Sequence, residues 1–127
     1  MKNGISLIYI AGPFRAKSAY IDGHQDMFAV QENIMRAMKL GLEVARIPGL
    51  FPVIPHANTM FFTAAAPDAV WLDGDMEMLR RCDAILMTED WERSSGARAE
   101  HEEAKALGLP IFYTVDAVQQ WVAPVEA

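Results

Sequence analysis

A single cysteine, Cys82, stands in a chain of 127 residues. With no second thiol there is no internal disulfide, so the fold has to rest on a hydrophobic core, and a reducing, cytoplasmic setting is expected. No apolar run reaches the eighteen or so residues that a membrane-spanning helix requires, so no membrane partner is expected. The opening "MKNGISLIYIAG" runs into Gly-Pro and not into a small-residue cleavage site, which argues against a secretory leader. Positive charge is also scarce. Eleven basic residues face 17 acidic ones, the net charge is −6, and lysines and arginines form no cluster. DNA or RNA would meet a repulsive field, so a nucleic-acid polymer is not an expected partner. His24, His56 and His101 have no ligand spacing with Cys82, and neither G-x-G-x-x-G nor G-K-[ST] occurs. No metal and no cofactor are expected.

What the chain does have is apolar sequence, 52% of its residues, in a length suited to one core. "ISLIYIAG" (Ile5 to Gly12) reads as a strand buried on both faces. From Gln25 to Ala45, the residues Met27, Val30, Ile34, Met38, Leu42 and Ala45 recur at three and four, which predicts an amphipathic helix. Leu50 to Ile54 reads as a strand, with Pro52 favouring an edge. Residues Pro55 to Pro67 read as a long loop carrying "NTMFF". A helix follows with Asp68 as its N-cap and Val70, Met76, Leu79 and Cys82 on its apolar side. Asp83 to Thr88 is a second buried strand. "SSGARAEHEEAKALG" is a helix stopped at Gly108, "LPIFYTV" a further strand, and "DAVQQWV" a last short helix. Strand and helix alternate throughout, the order of a single doubly wound α/β domain over residues 1–127. The expected fold is flavodoxin- or Rossmann-like, a three-layer sandwich around a parallel sheet of four to five strands.

In such sheets ligands sit at the carboxyl ends of the strands. That edge holds Gly12 to Arg15, Pro55 to Asn58, Trp91 to Glu100, and Thr114. In "AGPFR", Arg15 beside the amides around Gly12, Pro13 and Phe14 suits a phosphate. In "WERSSGARAE", Ser94, Ser95 and Gly96 open a helix whose first N–H groups have no internal partners, an anion-binding cradle. Glu100 lies one turn in, where the helix dipole is expected to keep it ionised. It is either an ordinary first-turn acid or a nucleophile. Glu102 and Glu103 read as solvated, and Arg98 has no assigned role. Asp75 is the preferred second carboxylate among Asp73, Asp75, Glu77 and Asp83. Trp71 and Trp91 either stack on a ligand or pack the core.

"IYIAGPFR", "WLDGDMEMLRRCDAIL" and "SSGARAEHEEAKALGLPIF" together resemble the nucleoside 2-deoxyribosyltransferase superfamily, which includes the 2′-deoxynucleoside 5′-phosphate N-hydrolases. The resemblance implies that Glu100 attacks the anomeric carbon, that Asp75 protonates the departing base, and that Tyr9 positions the glutamate. It places Ser94, six residues before Glu100, where monophosphate hydrolases have a serine and nucleoside transferases an aspartate. Base recognition is not carried by these motifs; His56, after the second strand, either approaches the base or is structural. The expected partner is therefore a small-molecule nucleotide or nucleoside, and the expected reaction is cleavage of a (2′-deoxy)nucleoside 5′-monophosphate through a glycosyl-glutamate. Base exchange by a transferase and a non-catalytic nucleotide sensor are the alternatives. The resemblance also implies a homodimer or higher homo-oligomer, with "NTMFF" and "QQWVAPV" packing across subunits.

Overall fold

The computed structural model describes residues 4–14, 20–21, 24–62 and 65–122. The first strand, β1 (Ser6–Ala11), is almost wholly buried, as a strand without polar alternation should be. A small antiparallel pair follows, β2 (Tyr20–Ile21) with β3 (His24–Gln25), where the sequence shows no hairpin signal. Helix α1 (Met27–Ala45) begins two residues after its expected start. Asp26 caps it, its carboxylate accepting from the Phe28 and Ala29 N–H groups.

The buried face of α1 is Val30, Ile34, Ala37, Gly41 and Val44. Met27, Met38, Leu42 and Ala45, expected on that face, are exposed. The reason is geometric: each step of four residues turns 40° past a full helical turn, so Ile34, Met38 and Leu42 spiral away from the core. Ala37, Gly41 and Val44 hold the line by mixing steps of three and four.

Strand β4 (Leu50–Val53) carries Pro52 and lies at the sheet edge, where a missing N–H costs no ladder bond. The segment expected to be a loop begins with one helical turn, α2 (Pro55–Asn58), with Pro55 at the position that needs no donor. Helix α3 (Asp68–Arg80) has Pro67 at its cap position, so Asp68 is its first helical residue and not the cap. Val70 is exposed, contrary to its expected place in the core. Strand β5 (Ala84–Met87) is fully buried. After a 3₁₀ turn at Trp91–Arg93 comes α4 (Ser95–Leu107), capped by Ser94 and ended by Gly108 at φ 71°. Strand β6 (Ile111–Phe112) and α5 (Val115–Val122) complete the chain.

The main sheet has four strands in the order β4-β1-β5-β6, and every pairing is parallel. Alternation along β1 divides the core. Ile8 and Ile10 pack with Ala37, Val44 and Val118 from α1 and α5. Tyr9 and Ala11 pack with Leu79, Ala97 and Ala104 from α3 and α4. Three layers result, with Tyr9 turned to the same side as α4. Because the connection after β1 crosses one face and that after β5 the other, the ends of these adjacent strands flank the switch-point crevice. Asp83 is not an acid of that crevice: its Oδ2 accepts the Leu7 N–H at 2.8 Å, at the opposite end of the pairing. Cys82 is buried, and burial pushes its thiol up to about 12, so it stays protonated and inert. None of the described helices is long and apolar enough to cross a membrane.

Candidate functional site

The crevice begins at Gly12, where β1 and β5 run so close that a Cβ would overlap the Thr88 side chain. The Thr88 N–H donates to the Ala11 carbonyl at 2.8 Å, which fixes the approach. Thr88 Oγ1 donates to Asp90 Oδ1 at 2.9 Å, and Asp90 Oδ2 accepts from Arg36 on α1 at 2.7 Å. Asn33, also on α1, donates to the Phe14 carbonyl at 3.0 Å. The loop after β1 is thus held from beneath by α1.

His56 holds the same loop from α2. Its Nε2 lies 3.0 Å from both the Gly12 and the Pro13 carbonyl oxygens. Both are acceptors, so Nε2 carries the proton and Nδ1 presents a lone pair. Burial lowers the pKa of the ring, which keeps it neutral. Nδ1 is buried and has no partner.

The start of α4 forms the opposite wall. Ser94 Oγ accepts the Ala97 N–H at 3.1 Å, so one serine does the capping and keeps its hydroxyl proton for another acceptor. The N–H groups of Ser95 and Gly96, first in the helix, have no intrahelical acceptor. Both residues line the cleft.

One turn further in, the Tyr9 hydroxyl donates to Glu100 Oε2. Tyr9 is fully buried behind the cleft wall, and Glu100 is 9% exposed. Burial pushes Glu100 up to about 8; the Tyr9 hydrogen bond pulls the other way, and the Asp75 charge adds to the rise. This corrects the expectation of a glutamate kept ionised by the helix dipole. A dipole contributes about 0.3–1 kcal/mol near a helix end, less than the desolvation of a carboxylate enclosed by a sheet and two helices. Burial also pushes half-buried Asp75 up to about 6. The Tyr9 hydroxyl is driven far above its ordinary value, first by burial and then by the two carboxylates, so it remains a donor. The Asp75 charge thus adds to the rise at Glu100, and the two carboxyls hold a proton with unequal affinity.

The cleft has a volume of about 570 Å³. Gly12, Phe14, His56, Asp75, Ser94, Ser95, Gly96 and Glu100, all singled out in the sequence, share its walls. Pro13 does not line the cleft; its carbonyl accepts from His56 Nε2. Arg15 lies outside the described residues.

Trp71 is on the wall, whereas Trp91 stacks on His101 at 4.3 Å between ring centroids and packs toward the core. The Trp71 indole N–H is buried without a partner, and Phe62 packs against the ring. Asp68, Trp71, Leu72, Asp75 and Met76 line the cleft at helical spacing along one side of α3. That spacing is present in the sequence, where Met76 is expected on the core side of the helix together with Val70, which is exposed. Arg98, unassigned from sequence, donates to the Glu92 carbonyl at 2.6 Å and ties the 3₁₀ turn to α4. Glu103 is not simply solvated: it accepts from Arg80 at 2.8 Å and joins α4 to α3. Among the described residues, no three His, Cys, Asp or Glu side chains converge as a metal site would require.

A family profile described as "Domain of unknown function (DUF4406)" matches residues 6–113. No curated protein matches the chain.

Proposed function

We propose that this chain, which belongs to the DUF4406 family, cleaves the base–sugar bond of (2′-deoxy)nucleoside 5′-monophosphates. The observation that carries the reading is the buried Glu100 carboxyl, held by the Tyr9 hydroxyl on the cleft wall, with Asp75 as its electrostatic partner. Two carboxyl groups of unequal affinity for one proton are what glycosidic cleavage uses.

In the proposed reaction the two carboxyls enter with one proton, which rests chiefly on the more basic Glu100 and must pass to Asp75 before attack; the ionised Glu100 oxygen then bonds to C1′ as the C1′–N bond breaks. The bonding pair leaves with the base nitrogen, which takes the proton from Asp75. A water that gives its proton back to Asp75 then attacks C1′ and releases the Glu100 carboxylate. Tyr9 keeps one carboxyl oxygen of Glu100 occupied and so orients the other. A sugar without a 2′-hydroxyl reaches the oxocarbenium-like transition state more easily.

The phosphate end is assigned to the Ser94 hydroxyl and the N–H groups of Ser95 and Gly96, a helix start with donors to spare. Arg15, expected from the sequence to help at this end, lies outside the described residues. The base end is assigned to the His56 and Trp71 side of the cleft. Both rings line that side of the cleft. The His56 Nδ1 and Trp71 Nε1 atoms are buried in the free protein without a partner among the described residues, so a nucleobase edge, which offers both complements, meets them only after the wall shifts. A protein with one buried, protonated thiol also suits the reducing cytoplasm in which such nucleotides are found.

The test is chromatography of a panel of nucleosides and nucleoside monophosphates after incubation with purified protein. Free base and sugar 5-phosphate should appear from at least one monophosphate, and Glu100→Ala should abolish their release. An intact panel sinks the hydrolase reading. Appearance of a new nucleoside on adding an acceptor base would mark a transferase, and tight nucleotide binding without turnover would mark a sensor.

A further inference from the structure

The charge of the cleft goes beyond what cleavage of a neutral base requires. Asp68, Asp73 and Asp75 line it from α3 and Glu100 from α4, and among the described residues on its walls there is no lysine or arginine. Asp68 is engaged within the protein, which leaves Asp73 and the Asp75–Glu100 pair. His56 adds no positive charge, since its ring is neutral and its Nε2 proton is given to the Gly12 and Pro13 carbonyls. The cleft therefore has two unlike walls: hydrogen-bond donors at the start of α4 and carboxyl groups along α3. The Trp71 ring lies on the α3 wall as well, with Phe62 against it at 5.6 Å between ring centroids. An aromatic face beside carboxylates suits a flat cation.

Proton placement points the same way. The carboxyl pair holds its proton chiefly on Glu100, and a neutral base can leave only after that proton has moved to Asp75. A base that already carries a positive charge needs no proton. While bound, its charge also favours the ionised form of Glu100, the form that attacks. His56, 5% exposed, adds an acceptor at Nδ1 that has no partner, which a ring bearing an N–H would satisfy once the wall shifts.

We propose that the substrates selected by this cleft are nucleoside 5′-monophosphates whose base is a cation, a pyridinium or an N7-alkylated purine. The proposal rests on the glycosidase reading above and narrows it. The Glu100 carboxylate bonds to C1′ as the C1′–N bond breaks, and the bonding pair passes to the ring and cancels its charge, so the base departs neutral. Water then attacks C1′, gives its proton to Asp75 and releases the Glu100 carboxylate. Each turnover yields the free base, the sugar 5-phosphate and one proton. A leaving group of this kind offsets the retarding effect of a 2′-hydroxyl, which brings ribose-bearing substrates within reach.

Steady-state kinetics with guanosine 5′-monophosphate, its 7-methyl derivative and nicotinamide mononucleotide tests the proposal. The two guanine nucleotides differ by one methyl group and one charge. The methylated one should have a KM, or an inhibition constant where a nucleotide binds uncleaved, about tenfold lower, the scale of one cation–π or charge contact. Asp73→Asn should narrow that gap severalfold and leave the value for guanosine monophosphate unchanged. A cation is a better leaving group in water too, so KM and not kcat reads the cleft. With nicotinamide mononucleotide, whose charge does not titrate, kcat/KM should rise with pH through the Glu100 value of about 8 and then level, where neutral bases lose rate. Cleavage of either cation supports the proposal, and the one cleaved identifies the ring system. Equal KM values for the guanine pair, a gap that Asp73→Asn leaves untouched, or an alkaline fall with nicotinamide mononucleotide overturns it. If neutral-base deoxynucleotides alone lose their base, this proposal fails and the glycosidase reading stands; if no nucleotide is cleaved, both fall.

Discussion

Replacing Glu100 with glutamine preserves the shape of the side chain and removes its titration. In the native protein the carboxyl is pushed from its ordinary 4.5 to about 8, chiefly by burial. Between those values the native state holds a proton that the unfolded chain has lost, so stability falls as pH rises. The interval is about 3.5 pH units, and at about 1.4 kcal/mol per unit the loss is on the order of 4–5 kcal/mol, complete above pH 8. Glutamine pays no such cost. Near pH 5 the two proteins should have nearly equal stability, since protonated glutamate and glutamine are close in shape and the Tyr9 hydroxyl can donate to either. Above pH 8 the variant should be several kcal/mol more stable. Urea unfolding of both proteins at pH 5, 6, 7 and 8.5 measures the difference, and subtracting the curves cancels every other titrating group. Parallel curves would refute the reasoning. A wild-type advantage that grows with pH would show that the helix dipole, worth about 2 kcal/mol at most near a helix end, governs this carboxyl after all.

Three further outcomes are expected. If the carboxyl pair works with a single proton, kcat/KM falls on the alkaline side near pH 8, and Tyr9→Phe, which removes the bond that lowers the Glu100 value, moves that limb to higher pH while reducing the rate; a limb that stays put contradicts the role given to Tyr9. Gly12→Ala drives a methyl into Thr88 and should destabilise the fold by about 1–3 kcal/mol in thermal or chemical unfolding. Thr88→Ala in the same chain should return part of that loss. Trp71→Phe keeps the ring beside Phe62 but removes the N–H, and should raise KM for the preferred nucleotide by about tenfold with kcat little changed, the scale of leaving a buried hydrogen bond unmade. An equal KM in both proteins would mean that the indole N–H does not face the base.

The parallel strands were legible because their side chains are buried on both faces, so Ile8 to Ala11 and Ala84 to Met87 are unbroken apolar runs that need no neighbour to interpret them. Glu100 and Ser94 were legible because a helix start after a buried strand in an alternating α/β chain can only fall at the ligand edge. Three things were not. The apolar face of α1 was misplaced because two stripes share one helix, and a period alone does not say which faces the sheet. The ionisation of Glu100 depends on what surrounds it, including Tyr9, which is 91 residues away in sequence. Trp71 was undecided because its meaning lies in an N–H without an acceptor, which is a property of the packed site.

Helix α1 also links two parts of the molecule that the chain order keeps separate. Its Asn33 grips the carbonyl of Phe14, and its Arg36 reaches through Asp90 to Thr88 beneath Gly12. A ligand that stills the loop after β1 therefore stills the helix too, and whatever steadies the helix leaves less for the ligand to order. Coupling of this kind is reciprocal.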